Sequence, residues 1–244
     1  MRRSVILASV VCVAFAQTAF AADQRPPVLK ARPAAVEPVF TWTGFYIGGH
    51  FGGGWGRKEW RDPLGPPFDI GSHDVSGALG GGQIGFNYQT GPFVFGAEGT
   101  FSWADLTGSH NNPFEPADQL STRTRWLATA AARVGYAVQQ ALLYGKFGAA
   151  WARDEHRIID LGVVEGIADV TRTGWLVGAG GELALWSGWS ARVEYNFMDF
   201  GRRTIDFVDP AGPPTFPLEI RQQIHTVTVG LNYRFGLGAV TARY

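Results

Sequence analysis

The chain has 244 residues, with 21 Lys+Arg against 21 Asp+Glu, 33 Gly, 9 Trp, 17 Phe, two Met and a single Cys. Formal neutrality leaves no basic footprint for nucleic acid, and Gly stands at about twice its usual share of roughly 7%. Beyond the N-terminal segment no stretch reaches 18 consecutive apolar residues, so a helical membrane span is excluded.

The N-terminus reads as a secretory signal over residues 1–21. Arg2 and Arg3 supply the positive region, Val5 to Phe15 an apolar run too short to span, and Ala19-Phe20-Ala21 an A-x-A cleavage site. The mature chain then starts at Ala22 with 19 Lys+Arg (21 less Arg2 and Arg3) against 21 Asp+Glu, a formal charge of −2. Cys12 lies in the signal, and Val11 before it argues against a lipoprotein. Residues 22–41 are Pro-rich (Arg25-Pro26-Pro27, Arg32-Pro33, Glu37-Pro38), which opposes helix and ladder pairing. They read as an extended periplasmic lead or a disordered tail.

Residues 42–244 read as an outer-membrane β-barrel, because eight stretches alternate with the period of two that a strand imposes. The first, about 42–55, sets Phe45, Ile47, Phe51 and Trp55 against Tyr46, Gly48, His50 and Gly52. The second, about 77–89, sets Ile84, Phe86 and Tyr88 against Gln83, Asn87 and Gln89. The third, about 93–103, sets Phe93, Phe95, Phe101 and Trp103 against Glu98, Thr100 and Ser102. The fourth, about 123–138, sets Trp126, Ala128, Ala130, Val134 and Tyr136 against Arg125, Thr129 and Arg133. The fifth, about 141–152, sets Leu143, Phe147 and Trp151 against Tyr144 and Lys146. The sixth, about 171–185, sets Trp175, Val177 and Leu183 against Arg172 and Glu182. The seventh, about 189–199, sets Val193, Tyr195 and Phe197 against Arg192, Glu194 and Asn196. The eighth, about 223–235, sets Val227, Val229, Leu231, Tyr233 and Phe235 against Thr226, Thr228, Asn232 and Arg234.

Gly91-Pro92, Gln139-Gln140 and Ser187-Gly188 are short turns. The other connections, 56–76, 105–122, 153–170 and 200–222, read as long polar loops rich in Pro, Gly, Asn and Asp. Short turns on one rim and long loops on the other define an eight-stranded antiparallel up-and-down transmembrane barrel, with periplasmic turns and extracellular loops. The aromatics sort into two girdles. Trp42, Tyr88, Phe93, Tyr136, Trp186, Trp189, Tyr233 and Phe235 fall near the short-turn rim; Trp55, Trp103, Trp126, Trp151, Trp175 and Phe197 fall near the other.

The oily face then meets lipid, and the lumen receives Glu98, Arg125, Arg133, Lys146, Arg172, Glu182, Arg192, Glu194 and Arg234. An eight-stranded barrel is only just wide enough for its own side chains. The charges therefore form a salt-bridged plug or, if hydrated gaps remain, line a narrow pore for small solutes. Inward glycines such as Gly48, Gly85, Gly96, Gly178 and Gly180 make room for the long side chains.

No cofactor or metal site is expected. Gly80-Gly81-Gly82-Gln83-Ile84-Gly85 fits G-x-G-x-x-G but lies inside a strand with no helix following. The five His show no ligand spacing; His73, His110 and His156 read as solvated loop residues. Asp154 with His156, or Ser76 with His225, could be paired on paper as catalytic groups, but without geometry they name no enzyme.

Three stretches carry a family resemblance: Phe40-Thr41-Trp42-Thr43-Gly44-Phe45-Tyr46-Ile47-Gly48-Gly49, Gly82-Gln83-Ile84-Gly85-Phe86-Asn87-Tyr88 and Val229-Gly230-Leu231-Asn232-Tyr233-Arg234-Phe235. With the signal and Pro-rich lead, the chain resembles the small outer-membrane immunogenic and opacity-protein-like surface antigens of alphaproteobacteria, a porin-family group. The resemblance implies an abundant surface antigen that supports envelope integrity, with haem binding or porin activity in some members, and no catalytic residues. Expected partners are outer-membrane lipid, the barrel-assembly machinery, and peptidoglycan-side or surface ligands such as haem or a host molecule. The assembly machinery reads a terminal aromatic residue, here Phe235 or Tyr244.

Overall fold

The computed structural model describes residues 40–62, 68–111, 118–160, 163–208 and 215–235. The expected signal, most of the Pro-rich lead and the segment from Gly236 to Tyr244 lie outside them. Eight strands follow one another: β1 (Gly44–Asp62), β2 (Phe68–Thr90), β3 (Phe93–Asn111), β4 (Asp118–Val138), β5 (Ala141–Asp160), β6 (Val163–Ala184), β7 (Trp189–Val208) and β8 (Thr215–Phe235). Each pairs antiparallel with its neighbour, and β1 closes the barrel on β8 through Phe45 opposite Phe235 and Tyr46 opposite Arg234.

The three short turns fall where the sequence places them. Gly91, Gln139, Ser187 and Gly188 adopt positive φ there (55°, 53°, 46° and 84°), the left-handed conformation that reverses the chain tightly. The motif from Gly80 to Gly85 lies within β2. Its Gly85 faces the lumen, where a Cβ would stand 2.3 Å from the Tyr46 hydroxyl; at Gly180 it would stand 2.6 Å from that of Tyr144. Two phenol rings thus lie over two inward glycines, and the barrel closes tightly around them.

The strands are 19–23 residues long. A tilted transmembrane strand needs only about 9–11 residues. The long polar loops expected over 56–76, 105–122, 153–170 and 200–222 are, in their described parts, largely continuations of the strands. What changes is the polarity. Below the outer girdle Phe45, Ile47, Phe51, Ile84, Phe147, Val177 and Val229 lie exposed on the outer face, as lipid requires. Above it the outer face carries Arg57, Asp105, Arg123, Arg153 and Arg157, while Trp60, Leu120, Ile158, Ile205, Phe207 and Ile220 point inward. The upper half is built like a water-soluble barrel, oily inside and charged outside. Period two persists but its sign inverts, so most charge there marks a solvated strand face, with Lys58, Asp154 and Arg172 as inward exceptions.

Two bulges at this boundary shift the alternation. Arg125 is an extra residue of β4 between the pairs Thr124–Asp154 and Trp126–Arg153. It therefore lies on the outer face beside Trp126, with its side chain 54% exposed, and is not a lumen charge. On β7 the register slips between Asp199 and Arg202 around Gly201, whose φ is 63°. Trp42 departs from its expected girdle position. It is buried inside the short-turn rim with the Arg234 guanidinium over its ring. The other aromatics form belts: Trp189 on Tyr233 and Phe93 on Tyr136 at one rim, Trp175 on Phe197 and Trp55 stacked on His225 at the other.

Candidate functional site: the layered lumen

Inward residues fall into five layers, in the same order on each strand. Nearest the short turns, Trp42, Val94, Leu142, Tyr144 and Ala184 pack together. An ionic layer follows. Glu98 accepts from Arg192 at 2.5 Å, Lys146 at 3.2 Å and Arg133 at 3.5 Å, and Glu194 from Lys146 at 2.6 Å. Arg133 reaches across to Glu182 at 3.1 Å, which also receives Ser190 Oγ (2.5 Å) and Asn232 Nδ2 (2.9 Å). Tyr46 donates to Glu98 and Tyr144 to Glu194, each at 2.8 Å, and the Arg133 guanidinium lies 3.8 Å over the Tyr144 ring. Three carboxylates (Glu98, Glu182, Glu194) thus face three cations (Arg133, Lys146, Arg192), the balance a buried ionic cluster requires. His50 sits on its upper side between Gln83 Oε1 (2.6 Å) and Ser102 Oγ (2.7 Å).

Above the ions, Leu79, Leu106, Leu127, Ala131, Ala150, Ala152, Leu176, Met198, Phe200 and Ile224 form an apolar septum. The space left between ions and septum, lined by His50, Leu79, Thr129, Arg192 and Met198 among others, measures about 20 Å³. That is room for about one water.

A second polar layer lies beyond the outer girdle and outside the bilayer span. Lys58 Nζ donates to Asp154 Oδ1 (2.9 Å), which also accepts from Thr124 Oγ1 (2.5 Å); both ionic side chains are fully buried. His156 contacts Thr122 Oγ1 through Nδ1 (3.0 Å), and His73 and His110 meet Nδ1 to Nδ1 at 2.8 Å. Arg172 donates to the carbonyls of Gly201 (2.9 Å) and Ile220 (2.8 Å). Burial, with His110 and Lys58 beside it, pulls the His73 imidazole down to about 3. His156, buried and facing Lys58, is held far below its ordinary value. Burial also draws the Lys58 ammonium down to about 8, against the pull of Asp154. Asp154 itself stays low: burial pushes it up, but Lys58 outweighs that. A final apolar cap of Trp60, Leu120, Ile158, Ala168, Ile205, Phe207, Leu218 and Ile220 closes the stack, with the His156 ring 5.4 Å edge-on to Trp60.

Of the charges expected inside, Glu98, Arg133, Lys146, Glu182, Arg192 and Glu194 are brought together, Arg172 joins the upper layer, and Arg234 packs over Phe40 and Trp42. His73 and His156 are buried inside the barrel rather than solvated in loops. Lys58 and Trp60, unassigned by the sequence, anchor the upper layer and the cap; the signal was the inverted alternation Gly56-Arg57-Lys58-Glu59-Trp60. Neither catalytic pairing assembles. Asp154 Oδ1 accepts from Lys58 and Thr124 and His156 Nδ1 meets Thr122, while Ser76 and His225 lie on the outer face, each opposite Trp55 on either side of β1. Among the described residues no group of three or more His, Cys, Asp or Glu is placed to hold a metal ion.

An apolar outer belt between two aromatic girdles, eight strands closed into one barrel and an enclosed ionic interior define a transmembrane β-barrel of the outer membrane. Comparison with known proteins agrees. The chain belongs to the outer membrane protein beta-barrel domain family, whose model matches residues 7–235. A 31 kDa outer-membrane immunogenic protein of Brucella melitensis is 35% identical over 96% of this chain and 100% of its own length. A 22 kDa outer membrane protein of Rhizobium leguminosarum is 30% identical over 72% of each. Among solved structures, the outer membrane protease OMPT of Escherichia coli matches with a TM-score of 0.50 and 12% identity over 79% of this chain and 97% of that one. That likeness concerns the fold alone.

Proposed function

We propose that this protein is a non-enzymatic surface barrel with a closed lumen, which supports envelope integrity and presents its outer half as a surface antigen. The observation that carries this reading is the unbroken stack of side-chain layers, with three carboxylates and three cations paired across the lumen. A conducting pore would need that network to part and the apolar septum above it to wet. Haem capture through His73 and His110 is disfavoured, because His73 is enclosed beside Trp60. Expected partners in this role are outer-membrane lipid and, during biogenesis, the barrel-assembly machinery.

Planar-bilayer recording of the purified full chain tests closure. The expected result is no steady channel in the native protein. Regular openings whose conductance changes on Glu98→Ala would establish the narrow porin instead.

A further inference from the structure

The buried cations Lys58, Arg133, Lys146 and Arg192 each meet a carboxylate. Arg172, 1% exposed, forms no ion pair among the described residues. Its Nη2 donates to the carbonyls of Gly201 and Ile220, while its Nε and Nη1 have no protein acceptor. Gln222 lies two residues along β8 from that Ile220 carbonyl and opposite Lys58 on β1; it is fully buried, and neither Oε1 nor Nε2 has a protein partner. The charges point the same way. The lower ionic layer balances Glu98, Glu182 and Glu194 against Arg133, Lys146 and Arg192, whereas the upper layer sets Asp154 alone, held by Lys58, against Lys58 and Arg172. One enclosed positive charge is left over, and a buried charge without a counter-ion is costly.

The wall beside Arg172 is interrupted. β6 and β7 pair from Ala184–Ser190 to Trp175–Asp199 and again at Ile167–Val208, with no ladder register joining 168–174 to 200–207. Side chains bridge this seam: Arg172 to the Gly201 carbonyl from inside, and the exposed Arg203 Nη1 to the Thr171 carbonyl at 3.4 Å. Gly201 is exposed, and a Cβ built on it would meet no heavy atom within 4 Å. Arg202 and Arg203 thus give the outer mouth of the seam a positive potential, which draws anions.

We propose that Arg172 and the Gln222 amide bind one small monovalent anion of the size of chloride, which reaches them through the β6–β7 seam. A single negative charge balances the layer, whereas sulfate would overshoot it. The anion enters sideways, above the apolar septum, so the axial stack of the barrel stays closed.

Proton–nitrogen NMR of the full chain in detergent micelles tests this, with sodium gluconate exchanged for sodium chloride at constant ionic strength and pH 7. The Arg172 Nε–H resonance is expected to move saturably with chloride and to stay in place when sulfate is used instead. Amide hydrogen exchange over 168–174 should slow about tenfold at a chloride concentration about ten times the half-saturation value. Arg172→Gln, checked for its compact form on unheated gels, should lose that slowing. Gln222→Leu, which keeps the guanidinium, should raise the half-saturation concentration at least threefold, and Arg234→Gln at the short-turn rim should respond as native. An Arg172 resonance unmoved by chloride, or equal slowing in native protein and Arg172→Gln, would overturn the proposal. An equal response to sulfate would overturn the monovalent assignment.

Discussion

Arg133→Ala is expected to lower the stability of the barrel by about 3–5 kcal/mol, the usual cost of removing one partner of a buried ionic cluster. Arg133 is 2% exposed. It donates to Glu182 (3.1 Å), Tyr46 Oη (2.8 Å) and Glu98 (3.5 Å) and covers the Tyr144 ring. Without it Glu98 keeps Lys146 and Arg192, but Glu182 keeps hydrogen bonds only from the neutral donors Ser190 and Asn232, with Arg234 as the remaining cation near it. The loss should therefore lie mainly at Glu182. Arg133→Met combined with Glu182→Gln, which removes the stranded charge and keeps most of the volume, is expected to recover more than half of it. Urea unfolding in lipid vesicles measures both. A shift below about 1 kcal/mol for Arg133→Ala would show that the network is hydrated rather than enclosed.

Acid is expected to loosen the outer half of the barrel first. Its upper polar layer draws Lys58 from β1, His73 from β2, His110 from β3, Asp154 and His156 from β5 and Arg172 from β6. The strands β4 and β8 add the uncharged Thr122, Thr124 and Gln222. Two cations already face one carboxylate there, so imidazolium is disfavoured. His73 has a folded value of about 3, below the unfolded value of about 6.5. A depressed imidazole lets the unfolded state bind more protons, so stability is fully present above pH 6.5 and is lost as pH falls toward 3. At pH 4.5 this amounts to about 2–3 kcal/mol from His73, with His156 adding in the same direction. Hydrogen exchange, corrected for intrinsic rates, should show protection over 56–61 and 153–158 falling between pH 7 and 4.5. His73→Gln/His156→Gln should flatten that fall. Protection independent of pH, or an equal fall in the double variant, would contradict the account.

The lower half was legible because lipid and lumen demand opposite chemistries of alternate residues. Phe93 to Trp103 alone show both faces, and the three short turns carry residues that reverse the chain. The upper half was obscured by the same rule. Beyond Trp55 and Trp103 the outer face meets water, so Leu218-Glu219-Ile220-Arg221 alternates with its oily residues inward and reads as loop to an eye seeking oily residues outward. Arg125 was misplaced because a bulge adds one residue and flips every later side chain. Trp42 was misplaced because a ring near a rim can face either way; here the cationic Arg234 draws it in. Partner choice within the ionic layer, such as Arg133 reaching Glu182 from β4 to β6, follows from closure and is absent from any local pattern.

Nitroxide labels along β1, in variants that keep the compact form, test the central claim most directly. At Phe45, Ile47, Phe51 and Trp55 lipid-dissolved oxygen should relax the label; at Arg57 and Glu59 a water-soluble nickel chelate should; at Tyr46, His50 and Lys58 neither should. Chelate access at Tyr46 and His50 would mean an open, wet lumen, and oxygen access at Arg57 and Glu59 would mean that the polarity does not invert at the girdle.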